Sequence, residues 1–184
     1  MKLRALVATL VFTLLAALPA WAGPPLICHP IQIGSAPSLP WQTTSGWNGM
    51  DSSYDVSHLI ADTLRLLTPQ TPVTVREETL RRAAIYSSRQ NGIADRLTSA
   101  LVARTVREQN EPTTWFDAGY FAEAVREAGV AYTMLHDPAQ QAAWKLRTGS
   151  AQLDGAALIR KAIRLGGKNM DQAAAIVENA QRSM

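Results

Sequence analysis

The chain is predicted to be all-α, a set of stacked antiparallel helical hairpins behind an extended proline-rich arm. Three observations lead there. After Asp55 the apolar residues recur at spacings of three and four; glycine and proline separate most of the periodic segments; and no segment alternates with period two over the length of a strand.

The first residues address the chain rather than fold it. Lys2 and Arg4 form a basic head, Ala5 to Leu18 is uncharged and mostly apolar, and Pro19 ends the run just before Ala20-Trp21-Ala22. That order predicts a secretory signal over residues 1–22, cut after Ala22. The run is shorter than the roughly 20 residues that cross a bilayer, so no stable membrane anchor is expected. Leu26-Ile27 ahead of Cys28 lacks the small residue of a lipid-anchor site, and the head has no twin arginine. The expected destination is periplasmic or extracellular.

Residues 23–54 form the arm and loop. Pro24, Pro25, Pro30, Pro37 and Pro40 each remove a backbone donor and bias the preceding residue toward extended geometry, so no helix is expected there. Leu26, Ile27, Ile31, Ile33 and Leu39 are too apolar for a free linker, which predicts an arm lying across a helical body. Thr43 to Ser53 reads as loop, with Trp41 just before it and Trp47 inside it.

Residues 55–184 form the helical domain. Asp55 can cap a first helix whose face is Val56, Leu59, Ile60, Leu64 and Leu67 and which stops at Thr68-Pro69. A second starts near Thr71-Pro72, or at the Thr74-x-x-Glu77 capping box, and ends at Asn91-Gly92. The third carries Ile93, Leu97 and Leu101 and ends before Pro112; the short turn between second and third predicts antiparallel packing. Thr114-x-x-Asp117 marks a fourth, with Phe116, Tyr120, Phe121, Ala124, Val125 and Ala128 on its face up to Gly129. Asp137-Pro138 opens a short helix through Trp144 to Gly149. Asp154 or Ser150 caps another through Leu158, Ile159, Ala162 and Ile163 to Gly166-Gly167, and Ala173, Val177 and Ala180 mark the last. Ala173 and Ala180, with Gly119-Tyr120, give a weak tetratricopeptide-like character, but no 34-residue period recurs, so an irregular array or a plain bundle both remain open.

Composition narrows the function classes. Losing Lys2 and Arg4 from 18 lysines and arginines leaves near balance with 15 acids, so nucleic acid is not an expected partner. A single cysteine excludes an intramolecular disulfide scaffold.

The candidate chemistry is sparse. Cys28 and His29 place a thiol beside an imidazole, a weak candidate for copper or zinc, but neighbours in an extended chain point apart, and His58 and His136 are the remaining histidines. The alternative is a small apolar cysteine packed beside Ile27 and Ile31. Among the acids, Asp51, Asp55, Asp117 and Glu123 stand in suggestive places, yet helix starts account for Asp55 and Asp117 and a solvated face for Glu123. Arg82, Arg89 and Arg96, seven apart, read as solvated. Trp41, Trp47 and Tyr54 are weak candidates for an aromatic binding platform for a sugar or peptide, or tethers of the loop to its core. No H-E-x-x-H, C-x-x-C, G-x-S-x-G or phosphate loop is present, so no catalytic residue and no cofactor is assigned.

GPPLICHPIQIG followed by SLPW, then TPVTVREETLRRAAIY and WFDAGYFAE, resemble a family of exported bacterial proteins with no assigned activity. The resemblance spans nearly the whole mature chain. It implies a signal peptide, a proline-rich arm and an α-helical body. The functional expectation is an exported, non-catalytic binding or scaffolding module with a protein or peptide partner. The alternatives are a thiol-redox or metal-responsive protein using Cys28 and His29, and an enzyme of unrecognised type.

Overall fold

The computed structural model describes residues 24–42, 47–135 and 153–183. The expected signal segment (1–22), His136 and the helix expected from Asp137 to Gly149 lie outside them. In chain order the α-helices are α1 (Pro25–Cys28), α2 (Leu59–Leu66, entered through a 3-10 turn at Val56–His58), α3 (Val73–Ser87), α4 (Ile93–Arg107), α5 (Pro112–Leu135), α6 (Gly155–Arg164) and α7 (Asp171–Ser183). Among the described residues the extended pairing is confined to an isolated antiparallel bridge between Trp41 and Met50. The fold is all-α.

The arm departs from expectation at its start. Pro25–Cys28 is one turn of helix, closed by Cys28 N–H donating to Pro24 O at 2.9 Å. Position explains it: a proline at the first helical residue removes a donor that has no intrahelical partner anyway. The orphan amides of Leu26 and Ile27 find their acceptor in tertiary structure, described below. Leu26, Ile27 and Leu39 are buried in the helical core, so the arm lies across the body rather than trailing from it.

Local signals set the helix ends. Asp55 accepts from Ser57 N–H at 2.9 Å and Asp154 from Ala157 N–H at 2.8 Å, each as an N-cap. Gly92 (φ 72°), at the turn before α4, has the left-handed backbone that glycine adopts without strain. The Thr74 capping box is not used, because α3 begins after Pro72 and places Thr74 in its first turn. Gly129 does not stop α5, which continues to Leu135. A glycine inside a helix costs about 1 kcal/mol relative to alanine, and Gly129 is buried in a packed region that can offset that.

α5 is the hub. Its largest contacts are with α6, followed by α3 and α4, and the last two touch each other only slightly despite the short turn between them. The α5–α6 crossing is close because two glycines meet there: a Cβ on Gly119 would stand 2.6 Å from the Gly155 carbonyl oxygen, and one on Gly155 would stand 2.4 Å from that of Gly119. Phe116, Phe121, Val125 and Ala128 of α5 join Leu80, Ala84 and Ile85 of α3, and Leu97 and Leu101 of α4, in one core. Among the described residues no helix is long and apolar enough to cross a membrane.

Candidate functional site

An arm with five prolines and, among the described residues, no strand partner beyond the Trp41–Met50 bridge leaves many of its carbonyls and amides in need of side-chain partners. α3 and α5 supply them. Glu127 Oε2 accepts from Leu26 N–H at 2.6 Å and Ile27 N–H at 3.2 Å. Glu78 accepts from Ile31 N–H at 3.0 Å and takes the Arg81 guanidinium bidentately, at 2.7 and 2.8 Å. Arg81 Nη1 donates to the carbonyls of Ile27 (3.0 Å) and Trp47 (2.9 Å). Arg82 pairs with Glu78 and donates to Leu39 O, each at 2.7 Å. Tyr86 Oη donates to Pro40 O at 2.7 Å and accepts from Asp51 N–H at 2.8 Å.

Apart from this seam Arg76 and Asp117 form a further ion pair, both side chains fully buried, at 2.7 and 2.9 Å. Glu123, also buried, accepts from Gly155 N–H at 2.9 Å, Gln181 at 3.0 Å and Arg126, tying α5 to α6 and α7. Asp117 therefore does not act as a helix start, and Glu123 does not lie on a solvated face. Arg82 is likewise mostly buried, whereas Arg96 is exposed and Arg89 reaches the carbonyls of Asp51 and Ser52.

The electrostatics follow from burial. Glu127 is pushed up to about 7 by burial, against the pull of the two arm amides, and its Oε1 is buried with no hydrogen-bond partner among the described residues. Burial also raises Glu77 to about 7 and Asp117 to about 6, the latter despite Arg76. Glu78 is held below the ordinary carboxylate value, because its arginine and amide partners outweigh its burial.

The residues singled out in the sequence fall as follows. Trp41 stands edge-on to Tyr86 at 5.8 Å, with the guanidinium groups of Arg81 and Arg82 over its ring at 4.8 and 5.5 Å. Tyr54 packs on Tyr86 at 4.8 Å, and its hydroxyl donates to Asp62 at 2.9 Å. Trp47 is half-buried against the core. All three thus sit around the arm and loop, and the rings of Trp41 and Tyr54 converge on Tyr86. Asp51 closes a local turn with Ser53. Cys28 is half-buried, its thiol raised by burial and by Glu127; His29 beside it and His58 are exposed. Among the described residues no three His, Cys, Asp or Glu side chains converge as a metal site.

A surface cleft of about 300 Å³ lies elsewhere, between the end of α4, the turn after it, the start of α5 and α6. Thr105, Val106, Gln109, Asn110, Trp115 and Lys161 line it. Val106 is 64% exposed, the large hydrophobic side chain most open to solvent among the described residues. This place is barely legible in the sequence, since a valine near a helix end carries no signal of exposure, and Trp115, three residues after Pro112, is the available clue.

Comparison with protein-family models, curated proteins and solved structures finds no match to this chain.

Proposed function

We propose that the protein is an exported, non-catalytic binding or scaffolding module acting on a protein or peptide partner. The observation that carries this reading is the cleft, where an exposed valine, a tryptophan and a lysine meet on the surface of the helical body. The interior charges favour it as well. Arg81, Arg82 and Glu78 terminate on the arm or on one another, and Arg76 on Asp117, so these groups are engaged in holding structure.

A photo-reactive residue in place of Val106 tests the reading, with one in place of exposed Arg65 as control. A discrete adduct from Val106 in cells, absent from Arg65, is expected; equal labelling from both ends the proposal. The thiol or metal reading is separated by titration, because a Cys28 thiol held in its protonated form by burial and by Glu127 reacts slowly at neutral pH. Fast native labelling, or stoichiometric metal in the purified protein, moves the function to Cys28 and His29. Export is tested by the N-terminal residue of the mature protein, expected to be Gly23.

A further inference from the structure

We propose that the Val106 cleft docks a partner polypeptide through a segment that sets a carboxylate beside an apolar side chain. The inference rests on the binding-module reading and adds the chemistry of what is bound. The walls are hydrogen-bonded to one another: Trp115 Nε1–H donates to Gln109 O at 2.9 Å, and Gln109 Nε2–H donates to Val106 O at 3.2 Å. Val106 and the indole form the apolar part of the surface.

Charge supplies the second half of the recognition. Lys161 Nζ lies 5.6 Å from the Trp115 ring centroid and forms no ion pair with an acid among the described residues. Arg107, next to Val106, likewise has no ion pair there, and neither has Arg164, one turn beyond Lys161. Two acids stand nearby: Glu108 lies 3.7 Å from Arg104, and Glu111 accepts from the amide and hydroxyl of Thr113 and keeps its charge, so the cations remain in excess. Asn110 adds an exposed amide that can donate to the same carboxylate. A surface with accessible cations in excess of its acids complements an acidic segment and repels a basic one.

The test uses the full mature chain and a fluorescent pool of short peptides alternating Asp or Glu with Leu, Phe or Val, read by anisotropy. A matched pool carrying Asn and Gln, and phosphatidylglycerol vesicles, complete the set. The acidic pool is expected to bind and the amide pool to bind at least about tenfold more weakly. Lys161→Glu and Val106→Asp should each weaken acidic binding about tenfold or more, Lys161→Arg should retain it, and Lys168→Glu should leave it unchanged. Circular dichroism melts of each variant verify that the fold is kept. Equal binding of the two pools, insensitivity to Lys161→Glu, or binding to vesicles alone overturns the proposal. A discrete Val106 cross-link in cells without preference for the acidic pool overturns the chemistry and leaves the binding module standing. Loss of both overturns both.

Discussion

Asp117 and Arg76 face each other with no solvent on either side, and removing Asp117 leaves the buried guanidinium without a carboxylate, held only by the carbonyls of Thr68 and Thr71. Breaking a buried pair costs about 3–5 kcal/mol, whereas replacing both partners with apolar residues of similar volume is often neutral. Asp117→Ala is expected to lose stability in that range, read as a lower urea midpoint at constant m-value, with Arg76→Met in the same chain restoring part of it. An unchanged midpoint in the single variant would mean that the pair is not buried. Neither residue was legible as buried, because an aspartate three residues after Thr114 matches a helix-start pattern equally well. The pair is made across α3 and α5, 41 residues apart in sequence.

The carboxyls of Glu77, Glu127 and Asp117 give the stability a sign in pH. Their folded values, about 7, 7 and 6, lie above the ordinary 4.5 and 3.8, so the folded chain holds more protons between those limits than the unfolded chain. Unfolding free energy therefore falls as pH rises through that window. Glu78 acts in the opposite sense, but its contribution is lost only as pH falls through its depressed folded value, below the window. The denaturant midpoint should drop between about pH 5 and pH 8, and Glu127→Gln should flatten the slope. A midpoint that rises over this range refutes the assignment.

At the scale of elements, the α5–α6 crossing depends on Gly119. Alanine there would gain about 1 kcal/mol of helix propensity, but its Cβ would stand 2.6 Å from the Gly155 oxygen and 2.9 Å from Ile159 Cγ1. Overpacking of that kind costs about 1–3 kcal/mol, so Gly119→Ala should be destabilising on balance, by thermal melt or denaturant titration. A variant as stable as the parent would mean that the helices cross further apart. The sequence marked Gly119-Tyr120 only as a faint repeat motif. What glycine does there, bringing two backbones together, needs the identity of the facing residue, and Gly155 is on another helix. The Ile93, Leu97 and Leu101 face of α4 was fully legible, and all three are buried. The Asp154 cap was legible for the same reason: both are local patterns.

Across the whole molecule the arm behaves as part of the core. The amides of Leu26, Ile27 and Ile31 donate to carboxylates of α3 and α5, and Leu26 and Ile27 are buried. Their hydrogen exchange should be slowed to a degree approaching that of the α3 amides, since opening them requires lifting apolar surface from the core. Exchange at the rate of a free chain would show the arm detached.

Periodicity, caps and breakers made the helical class, most helix ends and the apolar character of the arm readable from the residues alone, because each acts within a turn or two of chain. Tertiary structure decided which charges are buried, what the arm binds and where the surface is open. A glutamate one turn from its neighbour reads alike whether solvated or holding an amide, and Glu127 meets Leu26 across 101 positions. Val106 is an ordinary helical valine in sequence, and only the packing of α4, α5 and α6 around it leaves it at a cleft.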